Sequence, residues 1–146
     1  MTVIAWDGKT LAADKRFTSQ GLVYTVTKIH RLGELLLGAS GDAASAAEAI
    51  DWIRRGRRHG DFPERLRSKD CYVDLIVIDN GKILEYENSP FPTEIEDTIM
   101  AIGSGRDFAL SAMYLGKTAK EAVEIACLFD SGCGNGVDVL TVEPTV

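Results

Sequence analysis

An α+β chain with mostly antiparallel sheet is predicted by three observations. Asp7-Gly8 and Asn80-Gly81 each stand between two apolar, β-prone runs, the strongest short-range signal for a hairpin. Helical periodicity is confined to blocks opening near residues 42 and 106 instead of alternating with every strand. No internal repeat, linker or low-complexity tract divides the 146 residues, so one domain over 1–146 is expected.

The elements follow in order. Thr2 to Trp6 reads as a first strand and Thr10 to Ala13 as its hairpin partner, ending at Asp14. Leu22 to Arg31 and Glu34 to Ala39 form a second pair around Gly33; Leu35-Leu36-Leu37 is continuously apolar, as expected of a strand covered on both faces. After Ser40-Gly41-Asp42 the spacing of Ala43, Ala46, Ala47, Ile50 and Ile53 predicts a helix, with the Asp42 carboxylate favoured in its first turn by the helix dipole. Residues 59–70 allow at most a short helix near Pro63. Val73 to Ile78 and Lys82 to Tyr86 flank Asn80-Gly81 as a hairpin, and a polar loop over 87–97 leads to the apolar run 99–102. Gly103-Ser104-Gly105 opens a helix over 106–115. Thr118-Ala119-Lys120-Glu121 has the pattern of a capping box and starts another, with Ala122, Val123, Ile125, Ala126 and Phe129 as its apolar face. A strand over 137–142 closes the chain.

Composition narrows the function classes. Sixteen basic against 22 acidic residues give a net charge of −6, which argues against a general polyanion binder. No run reaches the ~18 apolar residues that span a bilayer, and no basic-then-apolar leader opens the chain. Cys71, Cys127 and Cys133 show no CxxC spacing and the two histidines, His30 and His59, lie far apart, so no metal centre is expected and the thiols read as reduced and cytoplasmic.

Singly, the polar features are ordinary. Asp14 ends a strand; Lys28 alternates with Val26 and Tyr24 along another; His30 reads as structural. Gly103-Ser104-Gly105 lacks a Walker lysine and a βαβ context, and Asp130 to Gly136 could be a helix cap and turn. The second residue changes this weighing. Thr2 follows Met1 directly, and a residue this small permits removal of the methionine. A strand beginning with free threonine carries a hydroxyl and an α-amine on one residue, a nucleophile with its own base whose ordinary pKa, ~7.7–8.0, lies near neutrality.

Six segments then fall in a telling order: Met1-Thr2-Val3-Ile4-Ala5-Trp6; Leu11-Ala12-Ala13-Asp14-Lys15-Arg16; Val26-Thr27-Lys28-Ile29-His30-Arg31; Gly38-Ala39-Ser40-Gly41-Asp42-Ala43-Ala44; Ala101-Ile102-Gly103-Ser104-Gly105; and the run 130–139 from Asp130 through Cys133 to Val139. Over nearly the whole chain this resembles the threonine peptidases of the proteasome β-subunit class, particularly the bacterial HslV-type subunits. The resemblance implies an N-terminal-nucleophile (Ntn) hydrolase fold, a four-layer αββα sandwich of two antiparallel sheets flanked by helices. It implies that Thr2 attacks a peptide carbonyl, that Lys28 sits beside it held by Asp14, that the Gly41 N–H is the oxyanion donor, and that Ser104 and Asp130 orient the amine. Cys133 stands where the family usually has a serine, a weaker hydrogen-bond partner in the same network. Phe17, Val26 and Ala39 would line the pocket beside the nucleophile, and being apolar they lean it towards cleavage after an apolar residue.

The resemblance further implies a homo-oligomeric ring, a peptide or unfolded protein as substrate and an AAA+ unfoldase as a candidate partner, with no cofactor, nucleic acid or membrane. As in HslV-type subunits, no propeptide is expected before Thr2. The family's second long helix is nearly missing over 59–70. Two other readings keep the same scaffold: a catalytically inactive or unprocessed ring-assembly subunit, and an Ntn amidase acting on a small molecule. The basic residues Arg54, Arg55, Arg57, Arg58, Arg65, Arg67 and Lys69 lack interleaved aromatics and are expected to face an acidic surface of a neighbouring subunit.

Overall fold

Along the first strand the side chains alternate between two different interiors, and that alternation organises the molecule. The computed structural model describes residues 1–142. Strand β1 (Ile4–Trp6) turns through Gly8-Lys9, flanked by Asp7 and Thr10, into β2 (Thr10–Asp14), antiparallel with Ala5 opposite Ala12. The Asp7 carboxylate closes the turn by accepting the Lys9 and Thr10 N–H groups at 2.9 and 2.7 Å. β3 (Arg16–Ser19) and β4 (Leu22–Thr25) form a separate two-stranded hairpin. β5 (Ile29–Leu32) and β6 (Leu35–Gly41) follow, then α1 (Ala43–Arg54), and two 3₁₀ turns, 59–61 and 64–67, stand where the short helix was expected. β7 (Val73–Asp79), β8 (Lys82–Tyr86), β9 (Thr93–Ile95), β10 (Met100–Ile102), α2 (Arg106–Tyr114), α3 (Ala119–Phe129) and β11 (Val137–Thr141) complete the described chain.

Two antiparallel sheets stack face to face, one ordered β10-β1-β2-β11 and the other β5-β6-β7-β8-β9. Ile4 and Trp6 of β1 point between the sheets, where they meet Leu11, Ile29, Leu36, Ile76 and Ile78. Val3 and Ala5 point the other way, onto Ala109, Met113, Ala122, Val123 and Ala126 of α2 and α3. The same division splits the apolar run of β6: Leu36 faces the inter-sheet core while Leu37 faces α1. A strand buried on both faces therefore shows no alternation in its sequence. The four layers are helices, sheet, sheet, helix.

The outer layers are filled differently. Under α1, Trp52 is fully buried and meets Phe62 and Tyr86 edge-on at 5.0 and 5.3 Å, its indole N–H donating to the Arg58 carbonyl at 2.8 Å. Under α2 and α3 the contacts are mostly alanines, which let those helices approach the sheet closely. Thr118 caps α3 in a full capping box with Glu121, as its sequence predicts.

Two expectations need correction. The run 22–31 is not one strand: β4 pairs with β3, residues 26–28 leave the sheet, and β5 begins at Ile29, so Lys28 lies in the break just ahead of β5. The cause is a hairpin turn at Gln20-Gly21, whose φ values of 53° and 80° match the 50° and 81° of Asn80-Gly81. Both residues are left-handed, as a tight two-residue hairpin requires. The polar loop over 87–97 likewise contains β9, an edge strand against β8.

Candidate active site

The break before β5 has a consequence: it frees the Lys28 side chain to turn inward, onto the beginning of the chain. Its Nζ donates to the Thr2 hydroxyl at 3.2 Å, to Asp14 Oδ1 at 2.9 Å and to the Met1 carbonyl at 3.0 Å. Asp14, the last residue of β2, has no solvent exposure, and Lys28 and Thr2 are 9% and 8% exposed. A buried carboxylate needs a full set of partners. Asp14 accepts from Lys28 and the Val3 N–H on one oxygen, and from the Arg16 and Gly134 N–H groups, both at 3.1 Å, on the other. Four bonds fix the carboxylate, and the carboxylate fixes the ammonium.

A second group surrounds the Thr2 nitrogen. It donates to Ser104 Oγ at 3.2 Å, and the Ser104 hydroxyl donates in turn to Asp130 Oδ2 at 2.6 Å. The Cys133 thiol donates to the same oxygen at 3.4 Å and lies 4.0 Å from Ser104 Oγ. Partial burial raises the Asp130 carboxyl, but the hydrogen bonds from Ser104, the Gly132 N–H and Cys133 outweigh it and hold the group below the usual carboxylate range. Burial, reinforced by the charges of Asp14 and Asp130, pushes the Cys133 thiol up to about 12, so it is a neutral donor here and not a thiolate. The Thr2 carbonyl accepts the Gly105 N–H at 3.1 Å. Gly103 makes this approach possible: at φ 94°, a Cβ there would overlap the Thr2 carbonyl oxygen.

Beyond Thr2 opens a cleft of about 640 Å³. Phe17, Val26, Ala39 and Gly41, all singled out in the sequence, lie in its wall. Gly41 ends β6 at φ 118°, and a Cβ there would overlap the Tyr72 carbonyl, so only glycine makes the turn from β6 into α1. All ten residues expected at the site thus lie in three adjoining groups: Thr2 with Lys28 and Asp14; Ser104 with Asp130 and Cys133; and the four of the cleft wall. Sequence reasoning missed the far part of the cleft. His30, read as structural, lines it, together with Ala46, Ala47, Ile50 and Arg54 along α1. The helical spacing that predicts α1 holds these residues without showing which of them face the cleft: Ala46 and Ile50 also pack against the core, where Ala49, Trp52 and Ile53 are buried. The His30 imidazole is held below its ordinary value by partial burial and by the nearby Arg54 guanidinium, against an opposing pull from Asp138.

The arrangement joins a hydroxyl, a neighbouring cation and a hydrogen-bonded nitrogen on one residue, at the mouth of a cleft. Among the described residues no helix is long and apolar enough to cross a membrane. No family model and no curated protein matches the sequence. Solved structures do match in shape. BPH from Thiobacillus denitrificans in complex with epoxomicin is similar at a TM-score of 0.72 with 21% identity, over 99% of this chain and 100% of that one. The eukaryotic HslV from Trypanosoma brucei is similar at 0.70 with 23% identity, over 98% and 99%. With TM-scores of 0.70–0.72 and nearly full coverage of each partner, this chain has the Ntn-hydrolase fold of HslV.

Proposed function

We propose that the protein is a threonine-type amide hydrolase acting on peptides or unfolded protein, with Thr2 as nucleophile once Met1 is removed. The observation that carries this reading is the buried Lys28 bridging Thr2 Oγ1 and Asp14 at 3.2 and 2.9 Å. A cation so placed stabilises a developing alkoxide and disfavours protonation of an adjacent amine.

In this reading removal of Met1 turns the Thr2 nitrogen into a primary amine, with Ser104 and Asp130 as its hydrogen-bond partners. The amine accepts the hydroxyl proton as Oγ1 attacks the substrate carbonyl carbon. The Gly41 N–H, at the entry to α1, receives the oxyanion; such a donor contributes roughly 3–4 kcal/mol in measured cases. Collapse breaks the C–N bond, and the proton passes from the Thr2 amine to the leaving nitrogen. Water, deprotonated by the same amine, then cleaves the acyl ester and restores the hydroxyl. No other base is needed. A homo-oligomeric ring enclosing the cleft would keep so simple a nucleophile from folded proteins, and an AAA+ unfoldase would supply such a ring with chains.

A second reading, a catalytically inactive or unprocessed assembly subunit, is favoured by Cys133, whose neutral thiol is a weaker donor to Asp130 than a hydroxyl would be. Intact mass separates the two. Purified protein lacking one methionine, and gaining a peptide epoxyketone adduct that Thr2→Ala does not form, supports the enzyme; full retention of Met1 with no adduct supports the assembly subunit. A screen of small amides against peptides separates a peptidase from an amidase.

A further inference from the structure

The far end of the cleft carries a charge that no ion pair among the described residues neutralises. Among the described residues the seven-membered basic cluster is mostly paired internally: Arg55 with Asp51, Arg57 with Asp79, Arg58 with Asp61, Arg65 with Glu48 and Arg67 with Glu64. Arg54 has no such partner, and it is the member of that cluster that lines the cleft. The other two cations of the cleft wall are engaged. Lys28 is bound to Asp14, and Arg16 donates to the Ser131 carbonyl at 2.7 Å and to Asn135 Oδ1 at 3.0 Å. Among the described residues the cleft wall contains no aspartate or glutamate, in a chain with 22 of them against 16 basic residues.

The position of Arg54 follows from α1. Ala43, Ala47, Ile50 and Arg54 are spaced 4, 3 and 4 apart, one stripe of a helix whose first residue adjoins Gly41. At 1.5 Å per residue the stripe runs about 16 Å, and long helical side chains lean back toward the N-terminus, bringing the guanidinium part of the way toward Thr2. Between the two ends the α1 side of the cleft offers only Ala46, Ala47 and Ile50, none with a side-chain donor; the rest of the wall adds the apolar Val26 and Ala39 and the hydroxyls of Thr18 and Thr27. An apolar α1 wall ending in a planar, five-donor cation with no partner among the described residues describes a receptor for a carboxylate on an apolar spacer. His30 beside Arg54 adds a neutral hydrogen-bonding ring.

We propose that this cleft selects substrates with a carboxylate-terminated side chain on the residue before the scissile bond, received by Arg54, and that a longer apolar spacer fits better than a short one. The inference rests on the hydrolase reading above and names its substrate class. It keeps the apolar walls expected from Phe17, Val26 and Ala39 and adds a charge at their end.

The test uses the Met1-processed protein and a series of fluorogenic peptides differing only in that residue: Asp, Glu, 2-aminosuberate, Gln and Leu. The expected kcat/KM rises from Asp through Glu to 2-aminosuberate, with Glu preferred over Gln by about tenfold, the scale of a charge-assisted hydrogen bond. Arg54→Gln, at an exposed residue with no ion pair, removes that preference while leaving the Leu peptide and the melting temperature unchanged. Equal rates on Glu and Gln, an acidic preference that survives Arg54→Gln, or an Arg54→Gln effect on oligomer size without one on selectivity overturns the proposal while the hydrolase reading stands. No cleavage of any probe and no epoxyketone adduct overturns both.

Discussion

The two ends of the cleft each hold a cation, and they hold it in opposite ways. Lys28 is buried, bonded to a fully buried carboxylate and within reach of the Thr2 hydroxyl. Arg54 is exposed and has no partner among the described residues. On the proposed reading, the contrast teaches that charge near a reaction centre serves two purposes with different structural needs. A cation that must act on one oxygen is fixed by desolvation and multiple hydrogen bonds. A cation that must receive a ligand is left free of them.

The comparison breaks most visibly at Lys28. Replacement by alanine leaves Asp14 as an uncompensated buried charge, and removing one partner of such a pair costs about 3–5 kcal/mol. The expected result is a large fall in denaturation midpoint, together with loss of peptide hydrolysis by roughly 10³-fold or more. Lys28→Arg keeps the charge but changes its shape, and is expected to restore stability in part without restoring rate. Arg54→Gln should move stability by no more than about 0.5 kcal/mol, the usual range for an exposed position. Similar losses of stability at both ends would erase the distinction.

A smaller effect is expected at Gly103. Gly103→Ala places a Cβ against the Thr2 carbonyl in a left-handed backbone, a strain of about 1–3 kcal/mol, and displaces Thr2, the proposed nucleophile. The check is a rate loss on every peptide alike, in contrast to the selective effect at Arg54. Smaller again is Cys133→Ser. A hydroxyl is a stronger donor to Asp130 than a neutral thiol, so the rate is expected to hold or rise by a few-fold, and a tenfold fall would show that the sulfur is needed.

A pH effect separates the carboxylates of the active-site end from one elsewhere. Burial, a hydrogen bond to Glu85 and the charges of Glu85 and Glu87 push the Asp74 carboxyl up to about 8, with Arg106 opposing. Folded Asp74 therefore holds its proton over a range where the unfolded chain has lost it, and stability falls as pH rises from about 4 towards 8. Asp74→Asn is expected to flatten that slope, and its stabilising effect should grow with pH across the window. Asp130, held below the usual range, behaves in the opposite sense: its contribution is present above the ordinary carboxylate pKa and is lost only as pH falls through its own lower value.

Much of this was legible in the chain. Asn80-Gly81 and the Thr118–Glu121 capping box carry their structure in local chemistry and were read as they fold, and the hairpin at Asp7-Gly8 was found although its two central residues are Gly8 and Lys9. Gln20-Gly21 adopts the same left-handed pair of conformations as Asn80-Gly81, but glutamine announces such a turn far less than asparagine. The β3–β4 hairpin was therefore missed, and Lys28 was placed on a strand it does not occupy. The cluster of Thr2, Asp14 and Lys28 was within reach because a resemblance over six segments brought together residues that spacing alone could not. The juxtaposition of His30 and Arg54 was not. They are distant in sequence, no short motif contains both, and only the packing of α1 against its sheet makes them neighbours.

The central claim is that the Thr2 nitrogen and hydroxyl act together, and one measurement tests it directly. Intact mass spectrometry of the protein purified from its own host, before and after a peptide epoxyketone, should show a chain shorter by one methionine. That chain should take up one equivalent of reagent, whereas Thr2→Ala should take up none. A processed chain that leaves the epoxyketone untouched, or a Thr2→Ala variant that still binds it covalently, would contradict the account.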